Sequence, residues 1–402
     1  MKKAFKRFLE RCTEGLLLLS GGTTSLAILL IVLFLFREGA SFFKSPNIES
    51  GYVLAVHPEN PVNHLSPEQI KRIFDSEIVR WDEVGGPAMD IELFRFSDMV
   101  QYVPEERLGA DFEHVPAVVD SIVMAHPGMI AFYPEQFVAP EQQLKVFPEA
   151  TIRPEDYFLG HDWQPTAHPA PQFGVIPLVL GTLWVSLFAV IFSLPFGVAV
   201  AVYLAEIASE RIRKVFKPLI ELLAGIPSVV YGFFGLVVIV PLIQKGFNLP
   251  VGETGLAGSI VLAIMALPTI ITVAEDSMRT IPRSMKEASL ALGATHWQTV
   301  YRVIIPCSIS GITAAIVLGI GRAIGETMAV LMVTGNAAII PHSLLEPVRT
   351  IPATIAAELG EAPKGGTHYE ALFLLGCILF VITLVVSITV EIISSKQKSN
   401  LT

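Results

Sequence analysis

Two groups of residues in this 402-residue chain have the types and spacing to do chemistry. The first is Gly321-Arg322-Ala323-Ile324-Gly325-Glu326-Thr327, set inside an apolar run from Ile309 to Val333. Arg322 and Glu326 are four residues apart, which on a continuous helix puts them on one face. An ionisable residue near a bilayer centre costs about 2.5–3.5 kcal/mol on insertion scales, so it faces protein or water and commonly marks a pathway. Two readings fit. In one, the pair neutralises itself and locks helices together. In the other, Arg322 offers its planar fork of donors to an oxyanion in transit, while Glu326 holds the arginine and keeps the anion releasable. The two are not exclusive, and the second assigns Arg322, Glu326 and Thr327 to translocation. Gly321 and Gly325 add a small-x-x-x-small surface on a neighbouring face.

The second group reads Glu287-Ala288-Ser289, three residues, Gly293, nine residues, then Val303-Ile304-Ile305-Pro306. Pro282 and Ser284 can start a helix that continues from Lys286 to Leu292. Gly293 permits the left-handed turn that ends it. A second helix is predicted from Thr295 to Val303, stopped by Pro306. A short helical hairpin of this kind can plug into a cleft on another subunit and pass rigid-body motion inward. On that reading Glu287, Ala288, Gly293 and Pro306 serve coupling.

The elements that must carry these groups follow from composition. Hydrophobic residues make up 52% of the chain and charged residues only 16%, well below the quarter usual in soluble domains. The deficit is uneven. Six apolar segments are predicted, roughly 17–36, 173–205, 218–243, 256–273, 309–333 and 371–393, each near the length a bilayer requires. The first has a basic leader, as a secretory signal would. No A-x-A-type cleavage site follows Phe36, so it is read as a retained helix. Between Ser41 and Ala170, by contrast, 21 acidic residues face 8 Lys and Arg. This stretch reads as an inserted soluble domain, and the remainder is net basic.

Basic residues near helix ends set the predicted orientation. The tail, the loops after spans two and four, and the C-terminal Lys396 and Lys398 hold 15 Lys and Arg. The opposite loops hold 3, Lys245, Arg349 and Lys364. Both termini are therefore expected on the cytoplasmic side and the insertion outside. Cys12, Cys307 and Cys377 lie outside the insertion and have neither disulfide nor metal-ligand spacing. No metal, cofactor or nucleic-acid partner is expected. There is no Walker A glycine-rich loop, so the chain is not expected to hydrolyse ATP itself.

The hairpin motif is similar to the EAA loop of importer permeases, E-A-A-x3-G-x9-I-x-L-P, with Ser289, Val303 and Ile305 where that family more often has Ala, Ile and Leu. Further stretches resemble PstC-type permeases of phosphate importers. They are Gly181–Ser186, Glu221–Gly232 with its Ala224-Gly225-Ile226-Pro227, the Arg322 segment, and Thr354–Glu361. The resemblance covers about Asp156 to Ile393. It implies a mainly α, polytopic membrane protein with about six transmembrane helices in the type I importer permease fold, plus an inserted extracytoplasmic α/β lobe. It also implies a bacterial inner-membrane location and translocation of inorganic phosphate. The implied partners are a PstA-type permease subunit, a dimer of a cytosolic ABC ATPase and an external phosphate-binding protein. The expected layout is 1–40 for tail and first helix, 41–170 for the lobe, 171–394 for a five-helix core with its coupling loop at 282–306, and 395–402 for the tail.

Within the lobe, Asn60–Phe74 with Ile78, Trp81 and Val84-Gly85-Gly86, and later His126–Phe132, resemble part of a phosphate-binding protein with a helix at Pro67–Asp75. In that family an Arg and a Ser-Gly-Thr loop grip phosphate. Here Arg95 is followed by Phe96-Ser97-Asp98-Met99, so the Gly-Thr is missing and a carboxylate has appeared. A docking or regulatory role is expected of the lobe rather than anion binding. Other functions stay open. A permease for sulfate or molybdate differs only in the PstC-like stretches. A membrane phosphate sensor would need a cytoplasmic signalling domain, and a gradient-driven transporter would show inverted repeats.

Overall fold

The computed structural model describes residues 2–49, 51–104, 107–109, 112–138, 143–147 and 151–399. Side chains of residues 1–12 and 393–402 lie outside the described set, and with them Cys12, the basic residues of the N-terminal tail, Lys396 and Lys398. Two compact units form: residues 41–176, and residues 1–40 together with 177–402.

In the first unit four strands form one sheet: β1 (Tyr52–Val56), β2 (Glu92–Arg95), β3 (Met129–Pro134) and β4 (Lys145–Val146), in the order β2-β3-β1-β4. β1 runs antiparallel to β3 and β4, and β2 runs parallel to β3. Both faces are covered, so Met129 to Tyr133 are all buried rather than alternating. Leu54, Val56, Ile130 and Phe132 pack with Ile70, Ile73 and Trp81 on one face. Ala55, Met129, Ala131 and Tyr133 pack with Val115, Val119 and Val123 on the other. The helix read at Pro67–Asp75 is present as Pro67–Phe74. Ser66 and Gln69 close a reciprocal capping box at its start, Pro67 stands in its first turn and Asp75 caps its end.

The second unit is helical. Among the described residues, five helices are long and apolar enough to cross a membrane: Thr13–Lys44, Ile176–Ile207, Ser228–Phe247, Gly255–Arg279 and Thr367–Ile392. A sixth crossing is a bent pair, His296–Cys307 and Ile309–Gly325, which meet at 67°. Two expected segments change. The third does not begin at Pro218. That residue lies within a separate helix, Glu210–Ala224, and the crossing starts beyond Pro227. The 210–224 helix turns Arg213 and Lys217 inward and leaves Val215, Phe216, Leu219 and Leu222 exposed, so its apolar residues merged with the next span when counted by hydropathy. The fifth does not run unbroken to Val333, as described below.

Side chains from several segments meet at the centre of this unit, including Val185, Ala189, Tyr231, Val261, Met265, Ala323, Val330 and Val348. Gly181 shows why small residues are needed here. A Cβ on it would stand 2.3 Å from the carbonyl oxygen of Arg349. Beside it, Thr182 Oγ1 accepts the backbone N–H of Ile351 at 2.9 Å. Gly181→Val should therefore cost more than about 3 kcal/mol, because the obstacle is main chain that cannot rotate away. Gly246→Ala, on a helix with nothing within 4 Å of the new Cβ, should be neutral or stabilise by up to about 1 kcal/mol, because alanine is the better helix former. Thermal unfolding of the detergent-solubilised chain checks the contrast; equal losses would show that Gly181 is not a packing contact.

Candidate functional site

The Ile309–Gly325 helix ends one residue before Glu326. Glu326 is extended (φ −73°, ψ 130°), and a new short helix, Met328–Val333, follows Thr327. The expected pairing of Arg322 with Glu326 on one helical face is thus not formed. The chain leaves the helix between them, and among the described residues no ion pair joins the two. Instead, the Glu326 carboxylate accepts the Ala329 N–H at 3.4 Å, serving the exposed donors of the new helix. Thr327 Oγ1 lies 3.4 Å from the Gly325 carbonyl.

Arg322 is left alone. Its Nε is buried without a hydrogen-bond partner, and among the described residues the side chain makes neither a hydrogen bond nor an ion pair. Its charge reaches the hydroxyl of Tyr231, which itself donates to the Leu223 carbonyl at 2.8 Å. A guanidinium half-buried without a counter-charge is costly, so the arrangement favours an anionic or acceptor group supplied from outside this chain. Thr327 opens on a cavity of about 600 Å³ that it shares with Gly325, Pro352, Ile355, Ala356 and Leu359. The break in span five and the short helix Ile351–Glu358 are therefore brought together. At the end of that helix Glu358 pairs with Arg349 at 2.7 Å and with His368 at 2.9 Å. The sequence placed Arg349 only as a loop cation, since its partner lies nine residues on, outside any helical register. Gly321 and Gly325 have nothing within 4 Å where a side chain would begin, so that face is open in this chain.

The hairpin forms largely as its residues suggest. Its first helix is Arg283–Ala291, begun at Pro282. Gly293 takes φ +82°, the left-handed conformation. Thr295 caps the second helix through a reciprocal box with Gln298. That helix is not a regular one to Val303. It is α only over His296–Thr299 and passes through a π turn at Val300–Ile304. Nor does Pro306 stop it. Pro306 sits in the next helical turn, Ile305–Cys307, and the bend comes at Ser308. The π turn lies just ahead of a residue that cannot donate to the carbonyl four back, which is where helices admit such turns. Ser289, one of the departures from the EAA pattern, hydrogen-bonds Thr299 across the hairpin at 3.0 Å. Glu287 and Ala288 are exposed, as are the apolar Met285, Leu290, Leu292 and Trp297.

Two carboxylates that the sequence reading passed over lie close by. Glu275, 1% exposed, has Lys217 at 3.3 Å, Arg279 at 3.5 Å and Arg213 at 3.6 Å. Burial pulls the Lys217 ammonium down, but hydrogen bonds to Asp276 and Glu275 carry it above the ordinary lysine value. Glu206, near the end of the second span, pairs with Lys286 on the hairpin. A lone acid at the end of an apolar segment on the basic side was the available signal for Glu206.

In the other unit, Arg95 donates from Nη2 to the Phe74 carbonyl at 2.9 Å, and its guanidinium lies over the Phe74 ring. The Arg95 N–H is taken by the Asp98 carboxylate at 3.3 Å. The groups that would face an oxyanion are thus already engaged.

Comparison with known proteins adds the family. Residues 193–399 match the family described as binding-protein-dependent transport system inner membrane component. Residues 37–147 match a PBP superfamily domain. The probable ABC transporter permease protein YqgH of Bacillus subtilis is 38% identical over 247 residues, 61% of this chain and 80% of its own. The phosphate transport system permease protein PstC of Pasteurella multocida is 39% identical over 249 residues, 57% of this chain and 76% of its own. Among solved structures, a chain of the inward-facing MetNI methionine ABC transporter aligns over 56% of this chain and 94% of its own, at 20% identity and a TM-score of 0.42. The chain belongs to the family of inner membrane components of binding-protein-dependent transport systems, and it is a multi-pass membrane permease of that family.

Proposed function

We propose that this chain is the PstC-type permease subunit of an ATP-driven importer and carries inorganic phosphate across the bacterial inner membrane. The observation that carries the reading is Arg322, a half-buried guanidinium with no partner of its own, placed where a membrane helix breaks. Its planar fork suits a tetrahedral oxyanion better than a point charge would. The PstC protein named above is a phosphate transport system permease, which supports phosphate as the anion. Glu326 and Thr327 contribute at the break, Glu326 by fixing the short helix and Thr327 by lining the adjoining cavity. The open Gly321/Gly325 face suits close approach by a PstA-type partner helix. The hairpin presents Glu287, Ala288 and its exposed apolar residues to a cytosolic ABC ATPase dimer, with Gly293 setting the turn and Pro306 leading back to the membrane. The excess of basic residues on the loop side of the hairpin supports cytoplasmic termini and an external lobe.

Uptake of labelled phosphate by cells expressing the chain with its neighbouring transport genes tests the reading. Excess sulfate or molybdate should leave uptake unchanged. If either displaces phosphate at equal concentration, the permease serves another oxyanion. If phosphate is never taken up but expression of phosphate-responsive genes depends on the chain, it is a sensor.

The external lobe, on this reading, is not the phosphate receptor, and the external binding protein delivers the anion. With Arg95 and its N–H engaged by Phe74 and Asp98, the purified 41–176 unit should give no saturable calorimetric signal with phosphate at micromolar concentrations. A clear isotherm there would make the lobe a fused receptor.

A further inference from the structure

We infer that Glu206 and Lys286 form an ionic tie that makes the second span follow the hairpin, so that both act as positioning residues for energy coupling. The inference rests on the coupling role proposed above for the hairpin. The hairpin's first helix, Arg283–Ala291, buries none of its residues. It continues covalently from span four through Thr280, Ile281 and Pro282. Its second half is anchored by the buried Thr299, Val300 and Ile304. Among the described residues, the first helix makes one side-chain hydrogen bond within the hairpin, between Ser289 and Thr299, and one beyond it, from Lys286 to Glu206 on span two.

Three features make that contact more than a surface pair. The Glu206 side chain is only 6% exposed and the Lys286 side chain 23%, so each would lose its compensation if the other were removed. Glu206 also sits in a π turn, Tyr203–Ile207, closed by the Ala208 N–H on the Tyr203 carbonyl at 2.8 Å. Such turns interrupt helices where a local shift is possible. Finally, the buried apolar contact between hairpin and span two is made by the hairpin's second half, where Val300 and Ile304 cluster with Ala201 and Val202. The first helix buries none of its residues. An apolar groove of about 570 Å³ lies between Val198, Tyr203 and Ile207 on the span and Trp297, Ile305 and Ile312 beyond it. Apolar packing holds the second half of the hairpin to span two but does not reach into Arg283–Ala291, which leaves the ion pair to carry displacement between that helix and the span. A pull on the first helix then moves span four through the chain and span two through the charges, as one body.

The test is phosphate carried per ATP hydrolysed by the complex purified with its ATPase and reconstituted in vesicles. Lys286→Glu and Glu206→Lys should each lower that ratio about tenfold, within the range of close charge couplings, while ATP hydrolysis continues. The double reversal and Lys286→Arg should restore it to within about threefold. Should the single reversals not reach the membrane, Lys286→Gln gives the same comparison without introducing repulsion. A ratio unchanged in the single variants overturns the tie. So does a parallel loss of hydrolysis and transport that the double reversal fails to repair, because that marks a pair needed only for folding. Crosslinking of Ala288→Cys to the ATPase, in the otherwise unaltered chain, reports separately on the coupling role. Its absence defeats that role, whereas its presence with an unchanged ratio defeats the tie alone.

Discussion

Arg322→Gln should lower phosphate uptake by two orders of magnitude or more while the chain still assembles with its partners. Losing a charge-assisted fork from a desolvated site costs about 2–4 kcal/mol of binding or transition-state stabilisation, and more where the ligand is itself charged. Assembly should survive because, among the described residues, the guanidinium has no hydrogen-bond or ion-pair partner to leave unsatisfied. Its Nε has no partner, and Glu326 is already committed to the Ala329 N–H. Arg322→Lys should recover only a part of the uptake, since an ammonium supplies charge without the planar pair of donors. The geometry also alters what the double variant Arg322→Gln, Glu326→Gln means. Had the two side chains formed a neutral pair on one helix, removing both charges would restore function. With the helix ended between them, the double variant should be as inactive as Arg322→Gln alone. Labelled uptake at matched membrane levels decides. Near-normal transport by the double variant would mean that the two charges exist to cancel each other, and the anion-contact role would fall.

The way span five departs from its expected form shows which parts of this molecule its sequence could disclose. Apolarity is continuous from Ile309 to Val333 apart from Arg322 and Glu326, and hydropathy cannot register a break that leaves composition unchanged. The local signal was there in Gly325-Glu326-Thr327, a helix-ending residue followed by an acid and a β-branched residue able to start a new helix. It was outweighed by the i to i+4 spacing of two opposite charges. The hairpin was far more legible, because its punctuation is chemical: Gly293 has one reason to be glycine, and Thr295 with Gln298 spells a capping box. In the sequence Ser289 stands out only as a departure from the EAA pattern. Only its placement opposite Thr299 shows a hydroxyl stiffening the hairpin. In the lobe, the helix at Pro67 was expected through resemblance to a phosphate-binding protein, and the Ser66–Gln69 capping box is the local signal that accounts for its start. The order β2-β3-β1-β4 rests on pairings between residues 37 to 91 positions apart, which no local pattern encodes. Glu206 and Glu275 were missed for a related reason. A lone carboxylate gains meaning from cations that fold back to meet it, and those lie 80 residues away on the hairpin for Glu206 and about 60 residues back on the 210–224 helix for Glu275.

The order of side chains tolerated at Gly293 should follow backbone preference rather than size. Gly293 holds φ +82°, and a Cβ placed there would meet nothing within 4 Å. Space is therefore free and conformation is not. Most L-residues pay about 1–2 kcal/mol in the left-handed region, whereas asparagine visits it readily. That cost corresponds to a roughly 5–30-fold loss of the native turn relative to its alternatives. Alanine, although smaller, should consequently depress uptake more than asparagine, and valine, being β-branched, should depress it most. The spans should be unaffected in all three variants, because the turn lies at the exposed tip beside Leu292. What changes is the angle at which Arg283–Ala291 presents Glu287 and Ala288 to the ATPase. Hydrolysis measured with the purified complex should then persist as transport falls, the signature of a hairpin that has lost its angle rather than its fold. If loss instead tracks volume, with asparagine worse than alanine, the glycine is there to admit a partner surface against its Cα, and the left-handed turn is incidental. Uptake and hydrolysis measured together across Gly293→Asn, Gly293→Ala and Gly293→Val separate the two.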